Sequence, residues 1–320
     1  MITLSDIRTA QSRLDGVTVR TKLVKFPLCA EDQRLLLLKP ENQQPIGAFK
    51  LRGAYNKIAS LSDAERKRGV ISYSSGNHAQ GVAYGARVLK TKSVVVMPSN
   101  APIIKREATA KLGAEIVLVG PGSDERKTKA EELAAQHGYV IVPPYNDEHI
   151  IAGQGTIGLE ILDDLPEVEA VLAPVGGGGL ISGVAAAIKL SNPKVKVIGV
   201  EPELAADAQA SLRQGKIVQF PAEQVSRTLA DGLRTQSIGP INFEHIRTYV
   251  DDIITVTEDE IRKAMKYLAV NPETVAEPSG GVSVAGFIFH AGELPKTKVN
   301  VAIISGGNIE PQMLEELRRS

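Results

Sequence analysis

The chain has 320 residues, a length that at roughly 100–200 residues per domain predicts two domains or one large α/β unit. Its 43% apolar and 23% charged residues are typical of a folded globular protein. Lys plus Arg and Asp plus Glu each number 37, so the formal net charge is 0. Proteins that bind duplex nucleic acid need an excess of positive charge, so we expect no nucleic-acid partner.

Cysteine usage and the amino terminus predict the compartment. The single cysteine, Cys29, has no partner for an internal disulfide. The first six residues already contain a charge, at Asp6, and no apolar core of signal-peptide length follows. No apolar run approaches the ~18 residues of a membrane span. We therefore expect a cytoplasmic protein that does not associate with a membrane.

Short apolar segments alternate with helix patterns along most of the chain. In chain order, strands are predicted at residues 35–38, 70–73, 93–98, 114–120, 139–144, 170–175, 195–202 and 299–304. Helices are predicted between several of them, at 80–88, 104–112 and 124–137. This alternation favours right-handed βαβ crossovers and parallel sheets, which is a doubly wound α/β architecture. Four strands within residues 69–146 predict a small domain inserted into a larger one formed by 1–68 and 147–320.

Three polar or glycine-rich segments follow predicted strands where helices begin. They are Ser-Ser-Gly-Asn-His at 74–78, four glycines at 176–179 and Ser-Gly-Gly-Asn at 305–308. Ligands of parallel sheets bind at the carboxyl ends of the strands, where the N–H groups of helix N-termini point outward. These segments therefore predict a binding site.

The glycine run indicates a phosphate. Gly176, Gly177, Gly178 and Gly179 expose backbone N–H groups to an approaching anion, although a tight turn that needs positive φ is the alternative. No Gly-Lys-Ser/Thr ends the loop, and neither register of a Gly-x-Gly-x-x-Gly fingerprint closes. A phosphate carried by something other than a nucleotide fits better.

Lys50 lies between Phe49 and the start of a predicted helix, and its chemistry alone leaves a functional and a solvated role equally open. Six ordered motifs resolve this by resemblance: GAFKLRGA, SSGNHAQG, AGQGTIGLE, VGGGG, EPSGG and SGGN. Together, from about Ser5 to Asn308, they resemble the fold type II pyridoxal-phosphate (PLP) enzymes, in the branch of serine/threonine dehydratases and serine racemases. The resemblance implies a tryptophan synthase β-like fold, with the active site between two doubly wound parallel-sheet domains. It also implies that residues 69–146 are mobile and that the protein is a homodimer.

The resemblance also implies roles for individual residues. Lys50 resembles the lysine that binds PLP covalently and later removes the substrate α-proton. Asn77 resembles the residue bonded to the phenolic oxygen of PLP, and Ser305 the one bonded to its pyridine nitrogen. The full set of implied cofactor contacts is Phe49, Lys50, Asn77, Gly176, Gly177, Gly178, Gly179, Glu277 and Ser305. Because a neutral hydroxyl cannot keep the pyridine nitrogen protonated, the ring is a weaker electron sink, which disfavours transamination and suits loss of a β-hydroxyl or prompt reprotonation.

The substrate residues are assigned in the same way. Ser74, Ser75 and His78, at a helix N-terminus, resemble the clamp for the substrate carboxylate, although His78 is equally explained as a helix cap. Arg126 resembles an arginine that reaches the substrate when the small domain closes. Ser75 matches the second acid/base of serine racemases, on the face opposite Lys50, so it permits racemisation.

One further segment resembles a divalent-cation loop of serine racemase-like enzymes. The Glu201 and Asp207 carboxylates and the Ala205 carbonyl offer hard oxygen ligands that suit Mg²⁺, Ca²⁺ or Mn²⁺. An ordinary strand end at Glu201 and helix start at Asp207 are the alternative.

Two departures from the family pattern affect the substrate. Ile46-Gly47-Ala48 replaces the usual Thr-Gly-Ser before Phe-Lys, which makes that wall of the pocket more apolar, and Tyr145 replaces a Phe or Asn. The expected activity is a PLP-dependent ammonia-lyase acting on L-threonine or L-serine. Alternatives are a serine racemase that uses Lys50 and Ser75, or a dehydratase for 3-hydroxyaspartate or phenylserine. A non-catalytic amino-acid sensor is disfavoured because Lys50, Asn77 and Ser305 are all present.

Overall fold

In the part of the chain that the structure describes, ten β-strands form two separate sheets, and helices cover both faces of each. The computed structural model describes residues 1–28, 32–74, 76–101, 103–120 and 123–319. The strands within this part of the chain are β1 (Val24–Lys25), β2 (Leu35–Pro40), β3 (Val70–Tyr73), β4 (Ser93–Pro98), β5 (Glu115–Val119), β6 (Val140–Ile141), β7 (Ala170–Pro174), β8 (Lys196–Pro202), β9 (Asp252–Val256) and β10 (Val299–Ile304).

Helices separate most of these strands. The described α-helices are α1 (Leu4–Leu14), α2 (Lys50–Ala59), α3 (Asp63–Arg68), α4 (Asn77–Val88), α5 (Ile103–Lys111), α6 (Ser123–His137), α7 (Glu148–Asp164), α8 (Gly179–Ser191), α9 (Asp207–Gln214), α10 (Ala222–Val225), α11 (Pro240–Tyr249), α12 (Glu258–Leu268), α13 (Pro278–Phe289) and α14 (Pro311–Arg319). Short 3-10 helices lie at Glu41–Gln43, Glu203–Ala205, Asp231–Leu233 and Pro272–Thr274.

The first sheet has the order β1-β2-β10-β7-β8-β9, and the second has the order β5-β4-β3-β6. Every pairing is parallel except that of β1 with β2. The predicted doubly wound α/β fold with parallel sheets is therefore confirmed. All four strands of the second sheet lie within residues 69–146, and the boundaries of that predicted domain stay a prediction.

Burial on both faces explains the apolar strands of the first sheet. Successive residues of β10 point to opposite faces, so Val301 packs with α7, α8 and α11 while Ala302 packs with α12 and α13. The five residues of β7 are all buried. Near-continuous apolar strands are typical of parallel sheets covered by helices on both sides.

Two strands were not predicted from the sequence. β1 has only two residues, and β9 begins with the exposed Asp252 at an edge of the sheet. Neither presents the long apolar run that made the central strands recognisable. In the described ranges, none of the helices combines the length and the apolar character needed to cross a membrane.

Candidate active site

Two of the three predicted segments meet at the carboxyl ends of neighbouring strands. β7 pairs with β10, so the glycine loop after β7 and Ser305 after β10 share one edge of the sheet. The chain before α2 is tied to the same place, because Ala48 forms a β-bridge with Gly306 and the Phe49 N–H donates to the Ser305 carbonyl at 3.0 Å. This pairing puts Lys50, the next residue, beside the strand ends.

Lys50 is the first residue of α2 and points its amine at a backbone carbonyl. Its Nζ donates to the Pro144 oxygen at 2.8 Å and lies 5.2 Å from the centre of the Phe49 ring. Loss of hydration lowers the pKa of Lys50 to about 8. Because a buried ammonium is stabilised less than a hydrated one, a larger fraction of this amine is neutral near physiological pH than of an exposed lysine. A neutral amine is both a nucleophile and a base.

The glycine loop forms the N-terminus of α8 with its backbone donors available. In the described chain, the N–H groups of residues 176–179 donate to no carbonyl, and no side chain caps the helix. Of the four glycines, Gly178 alone has a positive φ, +92°. A tight turn therefore explains why glycine is needed at one of the four positions. At the other three, the close approach of a ligand or a neighbouring residue explains it.

Tyr145 is the neighbour that Gly177 accommodates. A Cβ on Gly177 would lie 2.3 Å from a ring carbon of Tyr145, so no larger residue fits there. Burial raises the pKa of the Tyr145 hydroxyl to about 12, and the negative charges of nearby groups add to the effect. The segment that follows β6 therefore contacts Lys50 through Pro144 and the glycine loop through Tyr145.

The third predicted segment joins the site through a hydrogen-bonded chain of side chains. Asn77 Nδ2 donates to Glu277 Oε1 at 2.6 Å, and Asn308 Nδ2 donates to Asn77 Oδ1 at 2.7 Å. Asn308 Nδ2 also donates to the Ile46 carbonyl at 2.9 Å. Burial and the nearby charge of Asp231 raise the pKa of Glu277 to about 7. Contacts of this kind fix which way the Asn77 amide faces.

Ser305 is buried and has one described side-chain contact, in which its hydroxyl donates to the Ser279 carbonyl at 3.3 Å. The Ser279 hydroxyl accepts a hydrogen bond from the Gly232 N–H at 2.9 Å. A bond as long as that of Ser305 is weak, so the hydroxyl can turn toward a ring nitrogen at little cost.

The structure describes some, but not all, of the residues expected to bind the substrate. Ser74 is half-buried and its hydroxyl accepts from the Gly76 N–H at 3.4 Å, just before α4 begins. Ser75, the expected second acid/base, lies outside the described residues. Arg126 is half-buried on α6, where loss of hydration lowers its pKa.

His78 is a neutral side chain in the folded protein rather than a cation. Its Nε2 lies 3.0 Å from the Val142 carbonyl, so this nitrogen carries the proton and Nδ1 is an acceptor. Burial, together with the charge of Lys50, lowers the pKa of His78 to about 3. A neutral imidazole gives a carboxylate no ion pair, so anion binding at the N-terminus of α4 falls to its backbone N–H groups and the serines.

The predicted cation ligands lie together at the end of β8. Glu201 accepts hydrogen bonds from the Ala208 and Gln209 N–H groups, at 3.1 and 2.8 Å. Both carboxylate oxygens of Asp207 are buried with no side-chain hydrogen-bond partner among the described residues, and only the backbone N–H groups of Asp207 and Ile238 favour its charged form there. Burial and the negative charge of Asp207 raise the pKa of Glu201, and burial raises that of Asp207 to about 7. Two buried carboxylates without a counter-ion are the ligand chemistry of a divalent cation, although within the described residues no third His, Cys, Asp or Glu joins them.

Three features of the site were not predicted from the sequence. The Pro144 carbonyl is a backbone group, so no residue type in the sequence indicates its role. Asn308 belongs to the SGGN motif but was given no role. Lys105 on α5 forms an ion pair with Asp231 at 2.6 Å, and 126 residues separate the two along the chain.

The donors present fit PLP. A desolvated lysine amine, a glycine loop with unused N–H groups and a buried neutral hydroxyl match its aldehyde, phosphate and pyridine nitrogen, respectively.

Comparison with known proteins agrees with this fit. The profile of a family described as pyridoxal-phosphate dependent enzyme matches residues 15–306. The chain is 47% identical over 318 residues to L-threonine ammonia-lyase of Thermotoga maritima, which covers 99% of this chain and 78% of that protein. It is 40% identical over 311 residues to L-threo-3-hydroxyaspartate ammonia-lyase of Saccharomyces cerevisiae, covering 96% and 94% of the two chains. The fold is similar to that of serine racemase from Dictyostelium discoideum, with a TM-score of 0.90, 35% identity and coverage of 97% and 99%.

Proposed function

Because the chain belongs to the pyridoxal-phosphate-dependent enzymes, we propose that it is an ammonia-lyase that converts a β-hydroxy amino acid to a 2-oxo acid and ammonia. L-Threonine and L-serine are the first substrates to consider. The observation that carries the proposal is the Lys50 amine, which has a pKa of about 8 and is held between Phe49 and the Pro144 carbonyl. The similarity of the chain to the threonine and hydroxyaspartate ammonia-lyases supports the same reaction class.

When bound, PLP withdraws electrons from the substrate and so acidifies the proton on its α-carbon. Lys50 holds the cofactor covalently and afterwards, as a free amine, takes that proton. Its lowered pKa gives the amine a larger unprotonated fraction near neutral pH than an ordinary lysine has, and a general base acts in that form. The α C–H and β C–O bonds of the substrate break, the hydroxyl leaves with a proton as water, and hydrolysis of the enamine product releases ammonia.

The remaining residues bind and orient. The N–H groups of the glycine loop are proposed to bind the phosphate at the N-terminus of α8. Ser305 is proposed to bind the pyridine nitrogen and Asn77 the phenolic oxygen, with Glu277 fixing the orientation of Asn77. Phe49 flanks the ring. Ser305, as a neutral group, does not favour a long-lived carbanion, which supports elimination over transamination.

The substrate carboxylate is proposed to bind at the N-terminus of α4. Ser74, Ser75 and Arg126 supply donors there, and His78 shapes the pocket as a neutral side chain. The apolar wall of Ile46 and Ala48 leaves 3-hydroxyaspartate and phenylserine as alternative substrates. Ser75 and the similarity to a serine racemase favour racemisation of serine as the second candidate function.

Proton NMR of the PLP-loaded protein in heavy water tests these alternatives directly. L-Threonine, L-serine and L-threo-3-hydroxyaspartate are each supplied with Mg²⁺, with Lys50→Ala as the control. A 2-oxo acid as the main product supports the lyase and ranks the substrates. Loss of the α-proton signal without an oxo acid replaces the lyase by the racemase, and Ser75→Ala should then remove the exchange. Full activity of Lys50→Ala would overturn both.

We also propose that residues 69–146 form a mobile small domain that closes on the domain formed by 1–68 and 147–320. Lys105 and Asp231 supply a contact that closure would use, because their ion pair joins α5, next to the second sheet, to the 3-10 helix beside Ser279. Lys105 and Asp231 also change the pKa of Glu277 in opposite directions, so both lie near the site. Closure would bring Arg126 on α6 toward the substrate.

A divalent cation, with Mg²⁺ first, is proposed to bind Glu201, Asp207 and the Ala205 carbonyl. The buried carboxylates of Glu201 and Asp207, which raise each other's need for a counter-ion and have no cationic partner in the described contacts, support it. Its role there is structural, since no described contact joins these residues to Lys50. A homodimer is proposed from the family resemblance and is testable by light scattering, and the cytoplasmic location stays a prediction.

A further inference from the structure

Four charged side chains are buried together behind α2, and the proposed reaction uses none of them. Lys39 on β2, Glu41 after it, Arg52 on α2 and Glu160 on α7 are each at most 6% exposed. Two of the side chains are cations and two are anions, so the cluster is neutral. We call these four residues the Arg52 cluster.

The contacts of Arg52 are geometrically specific. Its Nε and Nη2 each donate to Glu41 at 2.8 Å, and its Nη1 and Nη2 donate to Glu160 at 2.6 and 2.9 Å. Nη1 also donates to the Thr156 hydroxyl at 3.1 Å. A planar guanidinium that binds two carboxylates in this way has one position and one orientation.

Lys39 completes the cluster. Its Nζ donates to Glu160 at 2.6 Å and to the Thr21 carbonyl at 2.7 Å. Burial by itself would raise the pKa of Glu41, but the Arg52 guanidinium outweighs it and holds the pKa below its ordinary value. Each cation of the cluster thus lies within hydrogen-bond distance of at least one carboxylate, and each carboxylate binds at least one cation.

Stability alone explains such a cluster poorly. Desolvation of buried ions offsets most of their attraction, and apolar residues of the same size often stabilise a fold equally well. Ion networks differ from apolar packing in directionality, because each bond has a required length and angle. The Arg52 cluster therefore points to a segment whose position matters.

That segment is the first turn of α2. Lys50 and Arg52 are two residues apart, and about 100° per residue puts their side chains on nearly opposite sides of the helix. Lys50 points to the Pro144 carbonyl, while Arg52 points into the interior. Gly53 follows, and a Cβ there would lie 2.4 Å from the Gln154 side chain, so α2 and α7 are in close contact at this turn.

We propose that the Arg52 cluster positions Lys50. The cluster fixes the rotation of α2 and its distance from α7. The Lys50 amine is thereby held against the Pro144 carbonyl, a position from which the amine reaches both cofactor and substrate. Arg52 is a positioning residue that touches neither. The inference rests on the proposed function of Lys50 and names the interactions on which that function depends.

The test compares Arg52→Lys with Ile58→Val in the PLP-loaded protein. Lysine keeps the charge but loses the planar fork, whereas Ile58→Val loosens the buried far end of the same helix without touching the cluster. We expect Arg52→Lys to lower kcat about tenfold or more with little change in KM, because a small displacement of a reacting group is costly. Thr156→Val, which removes a single bond to Arg52, should show a smaller fall in the same direction.

A readout independent of turnover is the pH titration of the absorbance of bound PLP, which reports on the Lys50 nitrogen. Its midpoint should shift in Arg52→Lys and Thr156→Val and stay unchanged in Ile58→Val. Equal kcat and equal titration in all variants, after matching for thermal stability, would overturn the proposal. If Arg52→Lys does not fold, Thr156→Val decides by the same two measurements. If the wild type turns over no β-hydroxy amino acid, the proposed function fails, and the titration still tests the positioning of Lys50.

Discussion

Asn77 donates a 2.6 Å hydrogen bond to Glu277, a residue 200 positions later in the chain. The oxygen of the same amide accepts from Asn308. Because an amide nitrogen carries two hydrogens, one donor of Asn77 is left for a ligand, and its direction is set by Glu277 and Asn308. The proposed contact with the phenolic oxygen of PLP thus depends on two residues outside the SSGNH segment.

Asn308→Ala should weaken the binding of PLP. Without its donor, the Asn77 amide is free to rotate, and loss of one hydrogen bond of about 1–1.5 kcal/mol corresponds to roughly a tenfold rise in the Kd for PLP. Absorbance titration of cofactor-free protein with PLP measures it. Asn192→Ala is the matched control, since the Asn192 side chain accepts only from the Lys194 N–H in the described contacts, and its loss should leave the Kd unchanged. An unchanged Kd in Asn308→Ala would remove Asn308 from the site.

His78 should make the folded protein less stable in acid. Its pKa of about 3 in the folded state lies below the ordinary 6.5, so the unfolded chain binds the proton more readily. The stability gained from neutral His78 is complete above pH 6.5 and is lost as the pH falls toward 3. At about 1.4 kcal/mol per pH unit, the loss by pH 5 is about 2 kcal/mol.

Urea unfolding at pH 8 and pH 5 measures this loss. His78→Gln keeps a donor for the Val142 carbonyl but does not titrate, so its stability should fall by about 2 kcal/mol less than that of the wild type. The same fall in both proteins would mean that other groups, such as the buried His245, account for the pH dependence.

The Lys105–Asp231 ion pair should influence substrate binding. Its two side chains are 24% and 41% exposed, so its contribution is that of a partly solvated pair and corresponds to a two- to fivefold change in KM. Lys105→Met and Asp231→Asn should each raise KM by about this factor, and the charge-swapped double variant Lys105→Asp/Asp231→Lys should recover part of it. Raised ionic strength screens the ion pair, so it should also raise the KM of the wild type.

Steady-state kinetics at low and high salt test the ion pair. Lys127→Met is the control, because Lys127 on α6 forms a long, exposed pair with Glu131. If the two lysine variants behave alike, the ion pair has no part in closure.

Removal of divalent cations should destabilise the protein through Asp207. EDTA leaves its buried carboxylate without a counter-ion, which costs about 1–3 kcal/mol, so the wild-type Tm should fall in EDTA and recover with excess Mg²⁺. Asp207→Asn should be insensitive to both and more stable than the wild type in EDTA. The exposed Asp163→Asn should respond as the wild type does. A wild-type Tm that ignores EDTA and Mg²⁺ would contradict the proposed cation site.

The central strands and the functional segments were predictable because their signals are local. Continuous apolar runs identified β4, β7 and β10, and glycine, serine and asparagine marked the turns after the strands. Within the first sheet, the parallel strands β7 and β10 then required the glycine loop and Ser305 to lie at a common edge. Lys50, Asn77 and Ser305 were likewise assigned through short motifs, and membership in the PLP-dependent family is confirmed.

Interactions between distant residues were not predictable in this way. Lys39 follows four leucines in β2 and is fully buried, because Glu160, 121 residues later, neutralises it. The lowered pKa of His78 likewise depends on burial and on Lys50. Neither a periodicity nor a turn residue indicates which charges will meet.

By itself, the sequence determined the strand–helix alternation, the turns that carry the site and the chemistry of the residues in them, since each depends on neighbours within a few positions. Only the tertiary structure decided that Pro144 meets Lys50, that Glu277 and Asn308 orient Asn77, and that Arg52 lies between two carboxylates. Those contacts join segments about 90 to 230 residues apart for Lys50 and Asn77. Burial and charge pairing act through space, so the folded chain alone sets the pKa of Lys50 and the direction in which its amine points.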